Sequence, residues 1–253
     1  MKTIDINADL GESFGAFKIG NDAAMLPLVT SANVACGFHA SDPETLVHTI
    51  DLVKQNNVTL GCHPGYRDLE GFGRRDMSLS YKEVYALVKY QIAAVDGLAR
   101  SVGVKMKYVK PHGALYNKAE VCKKTRQAIV DSIYDYDESL YVMGMSMGQL
   151  VKCAEDKGLG TIHEVFLDRA YNDDGTLVSR NSEGAMIKDA REAAARLEEM
   201  IEVGSVTTIT GNKIPIKVDS VCVHGDTEGA VQFLKDVFKE LKTKNYQFQS
   251  VVN

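Results

Sequence analysis

The chain alternates between two hydrophobic periods. Short apolar runs with strand-like patterning occur at residues 3–8, 31–36, 58–62, 105–110, 140–144, 161–166 and 220–223. Between them, apolar positions recur every three or four residues, the spacing of one helix face. The clearest case follows Ser80, where Val84, Leu87, Val88, Ile92, Val95 and Leu98 fall together. Ser41, followed by Asp42, Pro43 and Glu44, marks another helix start and predicts a helix to about Asn56. Further helices are predicted at 118–134, 147–157, 189–201 and 227–242, with a short helix or turn at 22–28. Residues 206–209 and 213–217 flank Thr210, Gly211 and Asn212 and read as a β-hairpin. The final eleven residues are polar and are expected to fray or to pack on the outside. Seven strand–helix alternations without an internal linker predict one α/β domain, residues 1–253, built on a mostly parallel sheet.

In a barrel of parallel strands, the strand exits converge on one mouth. Four of the six histidines sit just past the apolar runs: His39, His63, His112 and His224. Asp9 follows the first run, and Asn7 shares its parity, so both can point inward with Asp5 behind them. Glu12 arrives shortly after. Carboxylates beside imidazoles can bind a metal, orient a ring or act as a base. Lys110, before Pro111 and His112, can clamp a carboxylate or phosphate. Asp168 and Arg169 end the sixth run, either as an internal ion pair or with Arg169 against an anionic substrate. Asp226 either orients a histidine or caps the last helix. His48 falls inside a helix and reads as structural, whereas His163 is undecided. The glycine-rich stretch from His63 to Ser80 is expected to cover or build the site, and Tyr66, Phe72, Tyr116 and Tyr171 are candidates for its apolar walls. No phosphate-binding loop of the Walker type is present, the GFGRR segment lacks the strand–helix context of a dinucleotide site, and no GxSxG elbow occurs.

Composition narrows the class. The 253 residues are 45% hydrophobic and 25% charged with a net charge of −5, a globular balance that favours neither nucleic acid nor an anionic membrane. Lys123, Lys124 and Arg126 form a small basic cluster that reads as a solvated helix face. Five cysteines without a CxxC pair argue against a disulfide framework and fit a reducing compartment. Cys36, Cys62 and Cys222 read as small buried hydrophobes. No signal peptide or membrane span is read, so a cytoplasmic location is expected.

Six blocks carry a family likeness: NADLGE at 7–12, ACGFHASDP at 35–43, HPGYRD at 63–68, VKPHGALYN at 109–117, EVFLDRAY at 164–171 and CVHGD at 222–226. In this order they resemble the LamB/YcsF family, which supplies the A component of bacterial ATP-dependent 5-oxoprolinases. The resemblance implies a single (β/α)7 TIM-like barrel of the glycoside hydrolase/deacetylase type. It implies hydrolysis of 5-oxoproline to glutamate with ATP as co-substrate, alongside partner subunits B and C. On that basis Asp9, His63 and His112 are assigned to catalysis, with Asp9 or His63 as base and His112 as acid. Asn7, His39, Lys110, Arg169 and His224 are assigned to substrate binding. A divalent metal is an open option, with Asp9, Glu12, His63 and His112 as its ligands.

Two other readings stay open at this point. One is a metal-dependent amide hydrolase or carbohydrate deacetylase. The wider superfamily includes YdjC-like deacetylases that begin Asn-Ala-Asp-Asp, but here Asn7, Ala8 and Asp9 are followed by Leu10, so Glu12 would have to substitute. The other is a non-catalytic component that binds 5-oxoproline for its partners.

Overall fold

The computed structural model describes residues 2–179, 182–223 and 229–252. The chain opens with β1 (Lys2–Leu10), a short α1 (Asp22–Met25) and one 3-10 turn (Leu26–Leu28). There follow β2 (Ser31–Ala35), α2 (Pro43–Gln55), β3 (Thr59–His63), α3 (Tyr81–Ser101), β4 (Met106–Val109), α4 (Gly113–Val121) and α5 (Lys123–Tyr134). The second half runs β5 (Tyr141–Met145), α6 (Gln149–Lys157), β6 (Thr161–Phe166), α7 (Ala190–Val203), β7 (Ser205–Thr207) and β8 (Lys213–Pro215). It ends with β9 (Ser220–Val223), α8 (Ala230–Thr243) and β10 (Tyr246–Phe248).

Seven parallel strands close into a barrel in the order β1-β2-β3-β4-β5-β6-β9, with β9 pairing back to β1. This is the barrel that the family resemblance implies, built on the parallel sheet that the alternation predicts. Strand alternation divides the side chains between two environments. Ile4, Ile6, Ala8 and Leu10 of β1 belong to the buried apolar core, whereas the intervening Asp5, Asn7 and Asp9 take polar partners from other strands. Gly61 on β3 lacks a side chain for a steric reason: a Cβ there would overlap the Tyr108 ring. That ring delivers the Tyr108 hydroxyl to Asn33 Oδ1 at 2.6 Å.

Several helix boundaries differ from expectation. Asp42, rather than Ser41, caps α2 by accepting from the Thr45 amide at 2.8 Å, and Ser41 takes φ +73° instead. Ser80 does cap α3, in a reciprocal pair with Glu83. The helix predicted at 118–134 is two helices, α4 and α5, joined at an extended Cys122. Neither glycine nor proline marks that break. The Arg126 guanidinium covers the exposed end of α4 by donating to the Ala119 and Glu120 carbonyls. The hairpin is present as β7 and β8, and Asp173 pins it to the loop after β6 by accepting from Thr208, Thr210 and Asn212.

The chain end corrects the expectation of a frayed tail. β10 pairs in parallel with Lys2–Ile4 of β1, beyond the stretch that β9 uses. Past it, Ser250 lies 3.3 Å from the Ser31 hydroxyl, and the Val252 carbonyl accepts from Thr59. Val252 is buried with Tyr108, Met143 and Ile162 in a cluster of its own. The last residues therefore form part of the barrel floor. A charge there would lack a partner, so Val252→Asp is expected to cost about 2–4 kcal/mol of stability. Urea denaturation checks this; an unchanged midpoint would mean that the tail does not seat.

Candidate active site

A chain of polar side chains climbs the barrel interior. At the floor, Asp5 accepts from Thr30, Ser31 and Ser220. Burial pushes its pKa up, while these hydroxyl donors pull it back. One level higher, Asn7 donates to Ser220 at 2.8 Å, and Asn33 donates to both Asn7 Oδ1 and Asp9 Oδ1, at 2.7 and 2.8 Å. Above them sits Lys110, delivered where β4 ends before Pro111. Its Nζ lies 2.6 Å from Glu164 Oε1, 3.1 Å from Asp9 Oδ1, 3.2 Å from Asn7 Oδ1 and 3.4 Å from Cys222 Sγ. Tyr116 donates to the other Glu164 oxygen at 2.9 Å. Burial alone would lower the pKa of Lys110, but Asp9, Cys222 and Glu164 outweigh it and hold the pKa well above the usual lysine range. The ammonium therefore stays charged.

Beside this cation stand three imidazoles. His63 ends β3, and its Nδ1 lies 2.7 Å from the Lys110 carbonyl oxygen. His112 precedes α4; its Nε2 faces the Phe72 carbonyl at 2.8 Å and its Nδ1 faces His63 Nε2 at 3.0 Å. His39 stacks on His112 with centroids 3.7 Å apart and planes within 6°. Glu12 Oε1 is 3.6 Å from His39 Nε2 and 3.7 Å from His112 Nδ1, and Asp9 Oδ1 is 3.3 Å from His63 Nε2. One ligand-type atom from each of Glu12, His39, His63 and His112 lies within 4.8 Å of the others. Burial, and then the neighbouring imidazoles, drive the pKa of His39 well below the ordinary value. The same two causes bring His112 to about 3, so both rings are neutral near pH 7.

The loop after β3 roofs this cluster. Phe72, at φ +52°, turns its carbonyl onto His112, and Gly73 follows at φ +63°. A Cβ on Gly73 would sit 2.6 Å from His39 Cβ and 2.8 Å from His112 Cδ2. The glycine is needed both for its backbone angle and for the close approach of the loop to the rings.

A cavity of about 540 Å³ opens beside these groups. Asp9, Glu12, His63, Lys110 and His112 line its wall, with Tyr116, Met145 and Phe166 as apolar neighbours. Arg74 and Arg169 contribute guanidinium groups, and Arg169 also donates to the Val178 carbonyl at 2.6 Å. Glu12, expected only as a metal option, is thus a wall residue. Two residues assigned to substrate binding do not line the cavity: Asn7 is buried beneath Lys110, and His39 is packed behind His112. His224 and Asp226 lie outside the described residues. Of the expected apolar walls, Tyr116 lines the cavity, whereas the Tyr171 hydroxyl accepts from the Phe166 amide beneath it. His163 is structural: its Nδ1 accepts from the Met147 amide, and its Nε2 lies 3.3 Å from Glu155. The cysteines behave as expected, with Cys36, Cys62 and Cys222 buried as free thiols.

Sequence reasoning missed Glu164, Tyr116 as its hydrogen-bond donor, Asn33 and Arg74. For Glu164 a signal existed. A carboxylate on a strand whose same-parity neighbours, Ile162 and Phe166, are apolar has to point into the barrel or lie against apolar helices.

The LamB/YcsF family model matches residues 4–253. The chain is 47% identical over 247 residues to the A component of 5-oxoprolinase from Clostridium beijerinckii, covering 98% of this chain and 97% of that one. It is 46% identical to the protein of the same name from Campylobacter jejuni, across 100% of this chain and 99% of the other. Among solved structures it is similar to the lactam utilization protein of Thermus thermophilus, with a TM-score of 0.93 and 38% identity, covering 99% of this chain and 100% of that one.

Gly73→Ala tests the roof. The left-handed backbone angle and the crowding against two rings predict a loss of about 1–3 kcal/mol. Chemical denaturation measures the loss, and imidazole NMR signals of His39 and His112 should shift with it. Unchanged stability and unchanged signals would mean that the loop does not rest on the rings.

Proposed function

The chain belongs to the LamB/YcsF family, and on that footing we propose that it acts as the A component of a 5-oxoprolinase, opening the lactam ring of 5-oxoproline to glutamate with ATP as co-substrate. The observation that carries this reading is the convergence, in one cavity, of a buried ammonium, two carboxylates, two imidazoles and two arginines. The substrate is a small anion with one unreactive amide. Arg74 and Arg169 fit its carboxylate, and the apolar faces of Met145 and Phe166 fit the ring methylenes.

A five-membered lactam resists water because nitrogen donates into the carbonyl. Transfer of the ATP γ-phosphoryl group to the lactam oxygen makes the carbon electrophilic. Water then adds to that carbon, the C–N bond breaks and the ring nitrogen takes a proton, leaving an acyl phosphate on the opened chain; a second water cleaves it to glutamate and phosphate. Each stage develops charge that the cavity can answer. Asp9 and His63, 3.3 Å apart, suit the base that takes a proton from water. His112, neutral at rest, has its Nδ1 3.0 Å from His63 Nε2 and suits the acid only after taking up the proton removed from water, which it then gives to the leaving nitrogen. Lys110, held by Asp9 and Glu164, supplies a fixed positive charge for the developing oxyanion without needing to reorganise.

The relatives are named as one lettered component of a larger enzyme, which supports an assembly of several chains, and we assign the remaining work to partner subunits B and C. No helix among the described residues is long and apolar enough to cross a membrane. A cytoplasmic location fits this and the five free cysteines.

The test is 5-oxoproline-dependent ADP release by this chain with both partners. Turnover should require all three. Asp9→Ala, His63→Ala and His112→Ala should each lower kcat by roughly 100-fold or more, the range of lost acid–base catalysis. Arg169→Leu should mainly raise KM for 5-oxoproline. Near-normal turnover in all three alanine variants would overturn the assignment.

A further inference from the structure

Two imidazoles in the cavity wall face each other with the wrong atoms for a hydrogen bond between neutral rings. His63 Nδ1 lies against the Lys110 carbonyl oxygen and His112 Nε2 against that of Phe72. A carbonyl oxygen only accepts, so each of these nitrogens carries its ring's hydrogen. The opposite nitrogens, His63 Nε2 and His112 Nδ1, are then bare lone pairs in the neutral rings, and they stand 3.0 Å apart. Asp9 Oδ1 lies 3.3 Å from the first and Glu12 Oε1 3.7 Å from the second. The two bare nitrogens therefore face each other with a carboxylate oxygen beside each, an arrangement that suits a bound cation.

We propose that this volume is a binding site for a first-row divalent transition-metal ion of the Zn²⁺ class, held by His63 Nε2, His112 Nδ1 and the Glu12 carboxylate. Spacing supports it. With metal–ligand bonds of about 2.0–2.2 Å, ligand atoms around a tetrahedral ion lie roughly 3.3–3.6 Å apart. The His63–His112 and His112–Glu12 separations of 3.0 and 3.7 Å straddle that value. Orientation supports it independently. A metal-binding histidine typically donates its far N–H to a carbonyl or carboxylate, which fixes the tautomer, and both rings here do so to backbone carbonyls. Two imidazoles and one carboxylate suit zinc, cobalt or manganese rather than the all-oxygen preference of calcium or magnesium. All three ligands line the cavity, so a fourth coordination position opens toward a bound substrate.

The neighbours take other parts. Asp9 is an expected ligand on sequence grounds, but its Oδ1 already accepts from Lys110 and Asn33. His39 lies within reach of the cluster, and among the described residues neither of its ring nitrogens has a hydrogen-bond partner. Its plane is parallel to that of His112 at 3.7 Å, so the two rings cannot both aim in-plane lone pairs at one ion. His39 Nε2, 3.6 Å from Glu12 Oε1, instead keeps that carboxylate turned toward the site. When bound, such an ion polarises a carbonyl or an attached water. The site does not depend on which amide the cavity takes; with an ion bound, His63 and His112 serve as its ligands, and Asp9 alone is left as the base that takes a proton from water.

The test uses the full chain stripped with a chelator and titrated with Zn²⁺ by calorimetry, with Co²⁺ absorption as a second readout. The expected result is one ion per chain, visible Co²⁺ bands of a four- or five-coordinate site, and a higher Tm with Zn²⁺. His63→Gln and His112→Gln should each weaken Zn²⁺ binding by roughly 100-fold or more, since even outer partners of metal ligands carry 10–100-fold. Glu12→Gln should also weaken it. His39→Phe, which keeps the ring stack, should have a smaller effect than any of the three. The Tm of each metal-free variant reports whether it folds. Absence of saturable Zn²⁺ binding by the wild-type chain would overturn the proposal, as would wild-type affinity in a folded His63→Gln/His112→Gln double variant. A single proton shared between the two rings, in a chain that takes no metal, is the form the first of these failures would take.

Discussion

A lysine ammonium shut away from water has to be answered by oxygen, and most of the barrel interior is arranged around that requirement. Lys110 is held between Asp9 and Glu164, with Asn7 as a third oxygen contact. Each carboxylate is in turn committed elsewhere, Asp9 to Asn33 and Glu164 to Tyr116. Asn33 is fixed by Tyr108, whose ring occupies the space that Gly61 leaves. Removing one member of a buried ion pair typically costs about 3–5 kcal/mol, because the other is left charged without water. The polar ladder therefore fixes strand register as well as chemistry: a slip of β1 by one residue would turn its polar side chains into the apolar layer that Ile4, Ile6 and Leu10 now fill.

The same arrangement separates two kinds of group within one cavity. On one side is a permanent positive charge with its carboxylates. On the other is His112, kept neutral by burial and by the imidazoles beside it, with His39 stacked behind it. A site that moves protons and stabilises an oxyanion needs both, and it needs them not to neutralise one another. Asp9 is the contact between the two sides, 3.1 Å from Lys110 and 3.3 Å from His63.

Much of this is legible in the residues, and the parts that are not have identifiable reasons. The seven barrel strands follow from apolar runs, and the placement of Asp9, His63, Lys110 and His112 at strand exits puts them in one cavity. Periodicity says that a residue points inward or outward, but not what it meets there, so Asn7 reads as a substrate contact although it lies a layer below. Glu164 escapes notice because its partner, Lys110, comes from another strand, and periodicity along one strand does not show that meeting. The break at Cys122 and the cap at Asp42 are local conformational choices, made where several residues could serve and tertiary contacts decide. The tail reads as loose because its residues are polar, yet one valine and a parallel strand pairing seat it.

That seated tail bears on how the molecule comes into being. One edge of the first strand is completed by segments from the far end of the chain: β9, and then β10. During synthesis on a ribosome, β1 emerges first and waits for nearly the entire polypeptide before its open edge is covered. Closing contacts so distant in sequence is slow, because the intervening chain loses its freedom before the pairing stabilises it. Until then the Ser220 hydroxyl that Asp5 and Asn7 share is missing from the floor. The charged interior can be sealed only after its last strand has left the exit tunnel.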